Sequence, residues 1–342
     1  VAPPAKREKK GWWRVPLQLV ASAAVFWVLL RDTDLSKVGA ALGQAHMGWL
    51  VLAVAMKTLS LALHEVRLWI TMRAYDPDIP AKPVIEIGFV SGLMNMVLPV
   101  RGGDLLAMAL MKREVKVESG VAVAGVGLTA FFEAAVFGVF LLGVLLVGAA
   151  QWEELLGAAS AMKAKGTLTL MTLGAVFGSA VLVVVGRKLA TPEGDDGPKR
   201  PGMVELVRST LVRTSEGLTE WSSLAANVGI SVIQVALVVA SFWALLPALG
   251  LDVEFPIMAA CGLIAMGSLA SIVLPPGLAA GQAATAVFVL GFFGVSESDA
   301  IAYTALSWVA NSFPPVLCGI VPTLKRIKRL PELIRGEATD VE

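Results

Sequence analysis

Long apolar stretches separated by short polar punctuation dominate this chain. Residues 13–30, 49–75, 117–148, 166–186, 222–246 and 299–322 are each apolar over about the length that a helix needs to cross a bilayer. Two further apolar stretches, 84–113 and 256–294, are broken in the middle. In the first, an apolar run ends at Asn95 and Pro99, a polar break follows at Arg101-Gly102-Gly103-Asp104, and a second run leads to Lys112-Arg113-Glu114. In the second, the break falls at Pro275-Pro276-Gly277, and Met96-Val97-Leu98-Pro99 finds its echo in Ile272-Val273-Leu274-Pro275. A broken helix frees backbone N–H and C=O groups that lipid cannot satisfy, so such breaks sit inside protein or beside a wet cavity. Paired interrupted segments at corresponding places in two halves point to a transport site.

Charge sets the expected orientation. Lys6 to Lys10 precede Trp12 and Trp13, Lys112, Arg113 and Lys116 follow the first broken segment, and Lys325 to Arg329 follow the last span. Basic flanks mark the cytoplasmic side, which places both termini there and lets the first hairpin enter from within. The second is bounded by Asp252 and Glu254 and by the Ser296-Glu297-Ser298-Asp299 loop, without Lys or Arg, so it enters from outside. The expectation is an all-α polytopic membrane protein of the bacterial-type inner membrane, with about six full spans plus two re-entrant broken-helix hairpins in an inverted-topology repeat. Its parts are a basic N-terminus (1–12), a first half (13–186) with hairpin 84–113, a Gly/Pro-rich charged linker (187–202), a second half (203–322) with hairpin 256–294, and a cytoplasmic tail (323–342). Residues 31–47 read as a short amphipathic interfacial helix, and 203–221 as a cytoplasmic amphipathic helix. Asn311 and Pro314-Pro315 are expected to break the last span.

Composition agrees: 56% of residues are hydrophobic, 16% are charged, and mean hydropathy is +0.74. The net charge of +1 says nothing about partners, whereas the distribution of charge does; no nucleic-acid partner is expected. Cys261 and Cys318 read as small apolar residues, and His46 and His64 are too few and too separated for a metal cluster, so no metal, cofactor or catalytic nucleophile is expected. Ionisable residues inside spans are the informative positions. Lys57, His64 and Arg67 share one broad face of the 49–75 helix, Glu65 lies beside them, and Glu133 sits in the middle of the next span. Arg67 and Arg73 near a helix end also have the option of snorkelling to the interface. The expected headgroup-binding set is Arg101, Asn95, Gly102, Gly103, Gly277, Gln282 and Arg67. Asp104, Glu133, Lys57 and Glu65 are assigned to charge coupling. Arg101 offers phosphate a planar fork of donors, and the broken half-helices offer N-terminal N–H groups. Arg101 and Asp104 have the plainer option of a turn pair that only pins the hairpin.

The pattern Asn95-x-x-x-Pro99-x-x-x-Gly103-Asp104, the preceding Arg67-Leu68-Trp69 and the later Gly277-x-x-x-Gly281 resemble the lysylphosphatidylglycerol synthase transmembrane-region family, the flippase domain of multiple peptide resistance factors. The resemblance runs from about Trp12 to Leu324. It implies a lipid-handling membrane protein. Ala107 stands where the family often has a basic residue, and Gln282 where it usually has Glu. No counterpart of the soluble aminoacyl-transferring domain follows, so synthase activity is not expected. The leading expectation is a flippase-like transporter of an anionic or headgroup-modified lipid with a phosphate-containing headgroup. The alternatives are a membrane enzyme acting on a headgroup through Glu65, His64 and Asp104, and a non-catalytic partner that docks a cytoplasmic enzyme through residues 203–221.

Overall fold

A computed structural model of the chain describes residues 35–97, 102–147, 221–273 and 279–327, with Trp27, residues 210–212 and Thr214 besides. The expected spans 13–30 and 166–186, the linker, most of 203–221, the tail from residue 328 and both hairpin tips, with Arg101 and Gly277, lie outside the described residues. Nine α-helices are described: α1 (Leu35–Gly43), α2 (Met47–Arg73), α3 (Ala81–Val97), α4 (Gly102–Leu110), α5 (Ser119–Val147), α6 (Trp221–Ala248), α7 (Pro256–Val273), α8 (Ala280–Phe292) and α9 (Glu297–Ile327). A single π-helical turn, Met111–Val115, extends α4. Among the described residues α2, α5, α6 and α9 are long and apolar enough to cross a membrane. This is a multi-pass helical membrane protein. At about 1.5 Å per residue the arms α3, α4, α7 and α8 reach roughly 25, 14, 27 and 20 Å. These described lengths are each below a hydrocarbon core about 30 Å thick.

The bundle is built on α2 and α6, which pack along each other. Polar side chains of α6 recur at helical spacing and are all buried: Ser223, Asn227, Ser231, Gln234 and Ser241. They meet α2 rung by rung, in opposite chain directions. Thr71 Oγ1 donates to Asn227 Oδ1 (2.9 Å), Arg67 donates to Ser231 Oγ, Gln234 Nε2 lies 3.3 Å from His64 Nδ1, and Ser241 Oγ donates to the Ala53 carbonyl (3.0 Å). Lipid gives helices no hydrophobic reason to associate, so such bonds act as the glue, at about 0.6 kcal/mol each.

The other helices pack in a pattern that repeats between the halves. In the first half α2 meets α3, α3 meets α4, and α4 meets α5; in the second, α6 meets α7, α7 meets α8, and α8 meets α9. The halves then exchange their last spans, α5 lying on α6 and α9 on α2. One contact is much closer than its counterpart, that of α3 with α9. A Cβ on Gly319 would stand 2.6 Å from the Phe89 carbonyl oxygen, so only glycine lets the backbones approach so far. At the end of this pair, Arg326 forks onto Glu114 of the π turn (Nε–Oε1 3.0 Å, Nη2–Oε2 2.8 Å) and reaches Glu86 of α3 at 3.4 Å.

Two apolar plugs fill the ends of the bundle. One gathers Ala53, Leu245, Leu246, Leu263, Leu290 and Tyr303, with Trp49 and Trp243 edge to face at 5.5 Å. The other gathers Leu68, Met72, Val84, Ile87, Leu110 and Met111. Leu59, Leu105, Leu317 and Val321 are more than half exposed and give the outer surface an apolar belt suited to lipid.

Two expectations change. Helix α9 runs unbroken through Pro314, Pro315 and Pro322. Ending a helix inside lipid would orphan more groups than three missing N–H donors do, and Asn311 Nδ2 donates to the Ser307 carbonyl within the same stretch. Arg67 does not snorkel: it is fully buried, with Ser231 accepting from Nη1 and Thr129 and Glu133 from Nη2.

Candidate functional site

Between the two apolar plugs lies a polar cavity of about 210 Å³. Each bounding helix contributes residues at spacings of three, four or seven, one face apiece. From α2 come Lys57, Ser60, His64, Glu65 and Leu68; from α3, Gly88, Ser91 and Asn95; from α4, Asp104 and Ala107; from α5, Thr129 and Glu133; from α6, Gln234. The site is thus the meeting place of the α2–α6 pair, the first hairpin and α5.

The hairpin is shaped by its own motif. Gly103 of α4 sits so close to α3 that a Cβ would fall 2.2 Å from the Ser91 carbonyl oxygen and 2.8 Å from the Asn95 nitrogen. This contact brings Asn95 between the arms. Its Oδ1 accepts from Gly103 N–H (2.9 Å), and its Nδ2 donates to Asp104 Oδ1 (2.7 Å). Ser91 Oγ donates to the same carboxylate oxygen at 2.9 Å. Asn95, Gly103 and Asp104 therefore hold the two arms together at the cavity wall, and Gly102 opens α4 beside them.

A charge network forms the opposite wall. Arg67 Nη2 donates to the Thr129 carbonyl (3.0 Å) and to Glu133 Oε2 (3.4 Å), and lies 3.2 Å from His64 Nδ1. His64 Nδ1 also stands 3.3 Å from Glu133 Oε2 and 3.3 Å from Gln234 Nε2. That nitrogen accepts from a neighbouring N–H when bare and donates to Glu133 when it carries a proton. Glu133 has a 41% accessible side chain because it opens onto the cavity, whereas Arg67 behind it is wholly enclosed. Glu65 is different again: it is 2% exposed, and its Oε2 meets no hydrogen-bond donor among the described residues. Lys57 is the only lysine or arginine among the described lining residues.

The structure thus brings together Lys57, Glu65, Glu133, Asn95, Gly103 and Asp104, with Arg67 directly behind. Gln282, on the second hairpin, does not line this cavity; its buried Oε1 has no partner among the described residues. Sequence reasoning passed over Ser60, Gly88, Ser91, Thr129, Ser231 and Gln234. Their signal was present as polar or small residues three, four or seven positions apart in otherwise apolar helices. Among the described residues no group of His, Cys, Asp and Glu is arranged to hold a metal ion.

Residues 15–319 match the sequence profile described as "Lysylphosphatidylglycerol synthase TM region". No curated protein gives a match to the chain.

Proposed function

The chain belongs to the lysylphosphatidylglycerol synthase transmembrane-region family, and from that premise we propose that it is a lipid transporter that passes a phosphate-containing headgroup across the bilayer through the cavity between α2, α3, α4, α5 and α6. The observation that carries this reading is a charged cavity walled by helices that are otherwise apolar, beside the Asn95–Asp104 joint of the first hairpin. Its volume holds about seven waters at about 30 Å³ each. That suits a headgroup and not a whole lipid, so the tails would stay in the bilayer.

The lining is amphoteric. Lys57 supplies a cation for phosphate, and Asp104 and Glu133 supply carboxylates for an amine on a modified headgroup. Arg101, three residues before Asp104, extends the proposal as a second phosphate-binding fork. The repeated helix pairings support two halves of inverted topology, in which the second hairpin, with Gly277 and Gln282, guards the opposite face. Rocking one half on the other would expose the cavity alternately. The basic segments support cytoplasmic termini in an inner membrane.

Reconstitution tests this directly. Purified protein in proteoliposomes is expected to move headgroup-labelled phosphatidylglycerol between leaflets faster than empty vesicles do. Lys57→Ala should slow that movement about tenfold or more, since a charge-assisted hydrogen bond contributes about 1.5–3 kcal/mol. Rates equal to those of protein-free vesicles would sink the transporter reading. The convergence of His64, Glu65 and Asp104 on one cavity keeps an enzyme in view; chemical conversion of the lipid in the same vesicles would favour it.

A further inference from the structure

The two glutamates of the cavity live in opposite surroundings. Glu133 has Arg67 and His64 within 3.4 Å. Glu65, on the neighbouring face of α2, has no donor on Oε2 among the described residues, and that oxygen is closed off from water. Its carboxyl fills a notch in α3 left by Gly88: a Cβ there would lie 1.5 Å from Oε2 and 2.4 Å from the carboxyl carbon. The charged or titratable groups that act on Glu65 are His64 and Arg67 from α2, Asp104 from α4 and Glu133 from α5; Glu65 in turn acts on Cys318 of α9, and Lys57 lies further along the same cavity. The residues of α3 and α6 that line the cavity with Glu65 (Gly88, Ser91 and Gln234 among them) carry no charge. Arg67 is turned toward Ser231, Thr129 and Glu133, and Asp104 is held by Ser91 and Asn95. His64 and Arg67 are the nearest cationic groups, but both are engaged by Glu133, and no donor among the described residues reaches Glu65 Oε2. An ionised carboxylate enclosed without a partner takes up a proton instead.

We propose that Glu65 is a proton-binding site coupled to the lipid step: protonated while its carboxyl is seated against Gly88, and releasing the proton to the cavity when α2 and α3 part there. The coupling rests on the transporter reading; the proton site itself does not. The proton leaves the carboxyl oxygen for cavity water, and the carboxylate that remains faces Lys57 and the polar lining. Seating while the cavity faces one side of the membrane and unseating while it faces the other would carry one proton across in each cycle.

Infrared difference spectroscopy of the intact protein in liposomes reads the site without any transport. At neutral pH the wild type is expected to show a carboxylic-acid C=O stretch that Glu65→Gln abolishes. Gly88→Ala keeps Glu65 but pushes its flexible carboxyl out of the notch, so the band should disappear at lower pH than in the wild type. A band that survives in Glu65→Gln, or that Gly88→Ala leaves unmoved, would overturn the site. Thermal unfolding of each variant separates these results from misfolding.

Transport then reads the coupling. A pH gradient across proteoliposomes is expected to accelerate movement of labelled phosphatidylglycerol by the wild type, and the acceleration should vanish in Glu65→Gln. Wild-type movement that ignores the gradient would overturn the coupling and leave the transporter reading intact. No movement at all, with the infrared band in place, would overturn that reading and the coupling while the proton site stands.

Discussion

Arg67→Ala is expected to lower stability by about 1.5–3 kcal/mol, the range for losing a hydrogen bond to a charged group. Arg67 is 0% exposed and joins three helices. It donates to Ser231 on α6 and to the Thr129 carbonyl and Glu133 on α5, and it lies against His64 on its own helix. Deleting it leaves the Glu133 carboxylate without its permanent cation and removes the link between α2 and α5 behind the cavity. Arg67→Lys restores the charge but not the fork that serves Ser231 and Thr129 together, so it should recover only part of the loss. Thermal unfolding in a fixed lipid–detergent mixture checks the order wild type, then Lys, then Ala. An alanine variant as stable as the wild type would show that the network contributes nothing.

Gly103→Ala should be the most damaging single methyl group in the described protein. The Cβ would meet backbone on α3, the Ser91 carbonyl oxygen at 2.2 Å and the Asn95 nitrogen at 2.8 Å, and backbone cannot swing aside as a side chain does. The arms must therefore splay, which costs at least the roughly 1–3 kcal/mol of ordinary overpacking. Splaying also strips Asn95 from Gly103 and Asp104. Lipid movement in proteoliposomes is expected to be lost. Gly103→Ala and Asn95→Ala should be markedly non-additive in stability, since both break the same joint. Gly127→Ala is the control: nothing among the described residues lies within 4 Å of its Cβ position, so stability should hold or rise. Wild-type stability and transport in Gly103→Ala would refute the role given to the close approach.

What could be read from the sequence was what periodicity and punctuation carry. The four described spans fall within a few residues of their expected limits, as α2 at Met47–Arg73 against 49–75 illustrates. The break after Asn95 and the clustering of Lys57, Glu65, Glu133 and Asp104 were legible because charge inside an apolar run has few places to go. The proline pair of α9 misled, because a rule learned in water assumes that a broken helix finds other partners. Arg67 was ambiguous because sequence gives depth along a helix but not the identity of the facing helix. The polar stripe of α6 from Ser223 to Ser241 settles that question, yet each of its residues is unremarkable when taken alone. Glu65 and Gly88 could not be paired at all, since only the packing of α2 on α3 brings them together.

The central claim is that a lipid headgroup enters the bundle at the level of Lys57 and Glu133. A phospholipid carrying a photoactivatable diazirine on its headgroup, reconstituted with the protein and mapped by mass spectrometry after illumination, tests this most directly. The account predicts cross-links on the cavity faces of α2 and α3, in Lys57–Leu68 and Gly88–Asn95. Cross-links confined to the helix ends, around Met47–Leu50 and Arg73–Lys82, would contradict it, because the headgroup would then never leave the membrane surface.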